Sequence, residues 1–205
     1  MNVSFHYTVA VTGGIGCGKS SVIEILKKSS FETLDADKIT HLILSENLDL
    51  KDKIIDQFGK QCLTSKGDVD REALGKIIFK REDQRNKLNS LIHPVVLKEI
   101  IDWRTYCENK GFMAAVEIPL LFECGWEGLS WNCIMSIEAD LNIVKSRLLQ
   151  RGLSADDIDL RLRAQWPVEL KSELADISIQ NNGTKEDLKK ILQTWVKCLK
   201  KESAL

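Results

Sequence analysis

The chain has 205 residues, 43% hydrophobic and 29% charged with only 3 prolines, which is the balance of a globular protein with one core and an appended lobe, and excludes a disordered or fibrous chain. Its 29 basic and 30 acidic residues leave a formal charge of −1, so no global field gathers nucleic acid or an anionic membrane, and neither is expected as a partner of this monomer or weak homo-oligomer. No apolar run reaches bilayer length, no basic leader opens the sequence, and the six cysteines are scattered without zinc-ligand spacing; a cytoplasmic protein with reduced thiols is expected.

Residues 7–12 are short, apolar and β-branched, the pattern of a strand buried on both faces at the centre of a parallel sheet. A glycine turn follows, and residues 20–29 put Val22, Ile25 and Leu26 on one helical stripe. Strand, turn and helix in this order open a βαβ unit. Residues 31–34 read as a second strand ending on Asp35-Ala36-Asp37. From 39 to 103 the periodicity is helical, with stripes at Ile54 and Phe58, Leu74 and Ile77, and Leu88 and Ile92; His93-Pro94 reads as a structural histidine with a helix starting at Pro94. Residues 112–118 and 133–137 return to strand chemistry, 140–151 to helix, and 177–179 form a last short strand. The final helix keeps Leu188, Ile191, Leu192, Trp195 and Leu199 on one face, with Thr184 at its N-cap and Asp187 near N3. Five strands interleaved with helices predict an α/β three-layer fold with a five-stranded, mainly parallel sheet. The expected organisation is a single domain over 1–205, with core segments 1–38, 111–150 and 175–205, a helical insertion at 39–110 and a lid at 151–174.

Gly13-Gly14-Ile15-Gly16-Cys17-Gly18-Lys19-Ser20 fits G-x-x-x-x-G-K-[ST], the phosphate-binding loop. Glycines let the chain wrap with its N–H groups inward, and the following helix N-terminus, including Ser21, adds its positive end. Lys19 would reach the β and γ phosphates of ATP, and the Ser20 hydroxyl would hold Mg²⁺. A bare strand-to-helix turn is the plainer reading, but the flanking strand and helix argue for the phosphate.

Asp35 and Asp37 stand two apart, so if strand geometry persists both carboxylates point to one side; Asp37 is then the better candidate for a base and Asp35 for a helix cap. Arg147 and Arg151 share a helix face, and Arg161 and Arg163 follow a polar stretch, where guanidinium groups could close over a transferring phosphoryl group or simply make a solvated basic face beside Asp156, Asp157 and Asp159. Asp56-Gln57-Phe58-Gly59 and Thr184-Lys185-Glu186-Asp187 superficially match GTPase patterns, but the first ends a helical stripe and the second is explained by capping.

The ordered set of the loop, Asp35-Ala36-Asp37, Asp70-Arg71, Leu88-Asn89 before His93-Pro94, Ile118-Pro119-Leu120-Leu121-Phe122-Glu123, Gly152-Leu153-Ser154, Arg161 with Gln165, and Asn181-Asn182-Gly183 resembles the dephospho-coenzyme A kinase family over nearly the whole chain. The resemblance implies transfer of the ATP γ-phosphoryl group to the ribose 3′-hydroxyl of dephospho-coenzyme A. It makes Asp37 the catalytic aspartate, with Asp35 beside it at the acceptor, and puts the arginines from Arg147 to Arg161 over the phosphates. Asn181, Asn182 and Gly183 would lie beside the adenine, and the helical insertion with His93, Pro119, Leu120 and Leu121 would hold the acceptor. Cys17 stands where the family usually has serine, and its place near a helix N-terminus predicts a lowered thiol pKa. Another small-molecule P-loop kinase and a slow nucleotide-binding regulator are the competing classes.

Overall fold

The computed structural model describes residues 6–79 and 81–202. Strand β1 (Tyr7–Gly13) is buried from Thr8 onward, as an apolar run covered on both faces must be. It leads through the glycine loop into α1 (Lys19–Lys28), and then β2 (Phe31–Asp35). After a long helical passage come β3 (Met113–Glu117), β4 (Cys133–Glu138), α6 (Leu141–Gln150), α7 (Ala155–Arg163), α8 (Val168–Leu174), β5 (Ile177–Gln180) and α9 (Lys185–Glu202). The strand order is β2-β3-β1-β4-β5, and all four pairings are parallel. Thus β1 is central, with neighbours reached by crossovers on either side, and the loop after it opens at the carboxyl edge where such sheets bind ligands.

Alternation across the pleat separates the two faces. Val9, Val11, Met135 and Ile137 pack with Val22 and Leu26 of α1, Val144 and Leu148 of α6, and Leu188 and Leu192 of α9. Ser136, on the opposite face, lies 3.2 Å from Ser172 of α8, Oγ to Oγ. Helices therefore cover both faces, giving the three layers expected.

The chain divides into two compact units, one running to Asp35 and resuming at Arg104, the other Ala36–Trp103. The second unit holds α2 (Ala36–Glu46), α3 (Leu48–Phe58), α4 (Arg71–Phe79) and most of α5 (Glu82–Lys110). The boundaries expected at 39 and 110 fall inside α2 and at the end of α5. Side-chain caps start two of these helices: Asn47 Oδ1 accepts from Leu50 N at 2.9 Å, and Asp70 Oδ1 accepts from Glu72 N and Ala73 N, each at 3.0 Å. Ile54, Phe58, Leu74, Leu88 and Ile92 are buried as their spacing predicts.

Pro94 does not start a helix. It lies exposed inside the 29-residue α5, where it costs one backbone bond, to the Ser90 carbonyl. The stripe Leu88, Ile92, Val96 and Ile100, all buried, carries the helix through the break: packing at every fourth residue outweighs one missing donor.

Candidate active site

The loop between β1 and α1 is shaped by glycines and tied by its carbonyls. Gly18 adopts φ 101°, and a side chain there would run into the Asn181 amide. That amide donates from Nδ2 to Cys17 O at 2.7 Å. Arg147 of α6 donates to Gly16 O at 3.5 Å and to Asn181 O at 2.9 Å, and Lys19 Nζ bridges Gly13 O at 3.1 Å and Gly14 O at 2.9 Å. Four of the five carbonyls from Gly13 to Cys17 are thus held by three side chains. Lys19 is buried although charged, which is tolerable because those carbonyls receive its protons.

The next turn carries the acids. Ser20 Oγ donates to Glu117 Oε1 at 3.1 Å, and Glu117, at the carboxyl end of β3, is only 7% exposed. Across the sheet Glu117 is in register with Asp35, the last residue of β2. A hydroxyl and two carboxylates at one strand edge are hard oxygen donors of the kind Mg²⁺ takes. Glu117 is a residue that sequence reasoning missed. The available signal was an acid ending an otherwise apolar buried strand, where ionised burial has to be compensated.

Arg147 and Arg151, the C-cap of α6, line a cleft of about 370 Å³ with Gly16, Gly18, Asn181 and Gly183. The structure therefore brings together the two α6 arginines and the loop after β5. Asn182 faces the neighbouring turn, accepting from Asp140 N at 2.9 Å. Arg161 and Arg163 sit exposed in the last turn of α7 and do not line that cleft. Gln165, just beyond, does reach the loop: its Oε1 accepts from Ile15 N at 3.0 Å.

A family model for dephospho-CoA kinase matches residues 7–187. The chain belongs to that family. Dephospho-CoA kinase from Carboxydothermus hydrogenoformans is 38% identical over 192 residues, covering 91% of this chain and 93% of its own, and that from Enterococcus faecalis is 32% identical, covering 92% and 94%. Among solved structures, dephospho-CoA kinase from Campylobacter jejuni superposes with TM-score 0.74 at 30% identity over 97% of this chain and 100% of its own. The Thermus thermophilus protein TT1252 reaches 0.80 at 28% identity, covering 95% and 98%. A shikimate kinase from Acinetobacter baumannii, at 18% identity and TM-score 0.53 over 95% of both chains, shares the fold alone.

Within this chain, several expectations change. Strand geometry does not persist through Asp35-Ala36-Asp37: α2 begins at Ala36, so Asp37 is an exposed first-turn helical residue while Asp35 ends the sheet. Cys17 is not activated. It is 1% exposed, and burial pushes its thiol above the ordinary value against the opposing pull of Lys19 and Arg147. Proximity to a helix start loses here to desolvation. Leu121 is fully buried, so of the three loop residues only Pro119 and Leu120 present surface. His93, half-buried on α5, has its pKa lowered by burial. Asp56 is an exposed residue within α3 and Thr184 and Asp187 cap α9, so the GTPase-like patterns are structural.

Proposed function

We propose that this kinase transfers the γ-phosphoryl group of ATP to the ribose 3′-hydroxyl of dephospho-coenzyme A, completing coenzyme A synthesis in the cytoplasm. Family membership across residues 7–187, together with a phosphate loop whose carbonyls are tied away by Lys19, Arg147 and Asn181, carries this reading. With those carbonyls engaged, the loop amides other than those of Ile15, Cys17 and Ser21, which donate to Gln165 Oε1, Gly14 O and Gly18 O, are the groups left to meet a polyphosphate, and the α1 N-terminus adds its dipole.

Lys19 exchanges its backbone carbonyls for the β and γ phosphate oxygens. Arg147 and Arg151, already at the rim of the cleft, offset the charge that builds on the transferring group. Asn181, Asn182 and Gly183 flank the base, and Arg161 approaches from α7. Asp37 accepts the proton of the attacking hydroxyl, and Asp35, His93, Pro119 and Leu120 orient the acceptor. Ser20 and Glu117 would hold Mg²⁺, whose chemistry is to bridge and neutralise phosphate oxygens.

The test is direct: purified protein is incubated with ATP, Mg²⁺ and dephospho-coenzyme A, and the new phosphate is located on the product. ADP formation with a 3′-phosphate is expected. Turnover with shikimate or a nucleoside monophosphate, and none with dephospho-coenzyme A, would replace this reading with the competing kinase class.

A further inference from the structure

Lys171 is the largest side chain in the molecule with no exposed surface among the described residues, and its charge makes that burial costly. Its Nζ lies 2.6 Å from Glu123 Oε1 and donates to Pro119 O at 2.9 Å. The same Glu123 oxygen accepts from Trp166 N, at the joint between α7 and α8, at 2.9 Å. Glu123 Oε2 is buried with no hydrogen-bond partner among the described residues. A buried ion pair with an orphaned oxygen is a poor way to add stability, since a well-packed apolar pair of similar volume does as well or better. Its place in the fold points to what it connects.

The connections form a chain of hydrogen bonds, joined by the covalent step from Gln165 to Trp166, inside one compact unit. The phosphate-loop amide of Ile15 donates to Gln165; the next residue, Trp166, donates to Glu123; Glu123 pairs with Lys171; and Lys171 holds the Pro119 carbonyl, which also accepts from Thr12 Oγ at 3.4 Å. The buried, charge-assisted links from Lys171 to Glu123 and to the Pro119 carbonyl are short and stiff, so displacement of the Trp166 joint is passed on to that carbonyl rather than absorbed. We infer that Lys171 and Glu123 are a positioning pair that couples nucleotide binding at the Ile15 end of the phosphate loop to the set of the Pro119–Cys124 loop. This deepens the reading above, in which that loop orients the acceptor.

Amide hydrogen exchange with an unhydrolysable ATP analogue and no acceptor tests the coupling. In the wild type, the analogue should slow exchange in residues 119–126 by about tenfold, the size of an ordinary coupling between sites. In the double variant Lys171→Met with Glu123→Leu, which replaces the pair by apolar groups, protection around residues 14–21 should remain and that in 119–126 should vanish. Its kcat/KM for dephospho-coenzyme A should fall by a similar factor while analogue affinity is kept. Should the double variant not fold, Gln165→Ala breaks the first link without touching the buried pair, and should lose the same distant protection. An undiminished response in residues 119–126 in whichever variant folds, or no response there in the wild type, would overturn the inference. The acceptor's identity rests on the product assay instead, so the two readings fail separately.

Discussion

Lys19 must give up two carbonyls of its own loop before it can hold a phosphate, and this exchange costs little because each bond from the ammonium to a neutral carbonyl is replaced by one to a negatively charged phosphate oxygen. The gain grows as charge develops in the transition state. Lys19→Ala should therefore lower kcat by about 10²–10³-fold, the usual cost of removing one preorganised electrostatic donor, and also weaken ATP binding. Asp37→Asn separates the two effects. A base matters in the transition state alone, so nucleotide affinity should be unchanged in calorimetry while turnover falls by at least about 10²-fold in the ADP assay. Unimpaired turnover would remove Asp37 from the proton path. Glu117→Gln makes a different demand. It keeps a hydrogen-bond acceptor for Ser20 but removes a negative charge from the oxygen pair proposed for Mg²⁺. The Mg²⁺ concentration giving half-maximal activity should rise by about tenfold, against little change in the apparent ATP affinity at saturating metal.

At the scale of elements, α9 shows how local chemistry fixes a boundary. Thr184 Oγ accepts from Asp187 N at 3.2 Å, and Asp187 Oδ2 accepts from Thr184 N at 3.0 Å and from its hydroxyl at 2.7 Å, a reciprocal cap. Those bonds hold the Asp187 carboxyl below its ordinary value. A carboxyl depressed in the folded state stabilises above its unfolded pKa of about 3.9, and that contribution is lost as pH falls through the folded value. Thr184→Ala should lower the melting temperature by about 3 °C at pH 7, and the gap between variant and wild type should narrow as pH falls below about 4 and the carboxyl is protonated, leaving the part owed to the bond from Asp187 N to the Thr184 hydroxyl. A gap that stays the same from pH 7 down to the acid limit of folding would mean that the carboxylate adds nothing to the cap. This cap was legible because both partners lie within four residues, and β1 was legible because a short, mostly apolar and β-branched run fits burial on both faces of a sheet. Pro94 was misread because the helix-breaking rule is local while the stripe that overrides it, Leu88 to Ile100, draws its energy from packing. The partnership of Ser20 with Glu117 joins residues 97 positions apart, and no spacing rule in the sequence connects them. Cys17 was misjudged for a related reason: the helix start is visible in the sequence, and the core that buries the thiol is not.

For the whole molecule, the division into two compact units makes a thermodynamic demand on ligand binding. The unit that runs to Asp35 and resumes at Arg104 contains the entire phosphate loop, the α6 arginines and the loop after β5. A nucleotide that binds the folded form stabilises whatever must unfold to release it, by about 2.7 kcal/mol at a hundred times its dissociation constant. For a chain of this size that corresponds to an increase of about 5–10 °C in the melting temperature. Mg²⁺ with an unhydrolysable ATP analogue should produce this shift in a calorimetric scan, whereas AMP, which lacks the β and γ phosphates that Lys19 is proposed to grip, should produce a much smaller one. If the two units melt separately, the nucleotide should move only the transition of the unit carrying the loop, because Ala36–Trp103 supplies none of the residues that line the cleft. Equal shifts with AMP and the triphosphate would mean that binding is dominated by the base, and the loop would lose its assigned role. A shift that survives Lys19→Ala undiminished at the same ligand concentration would point the same way.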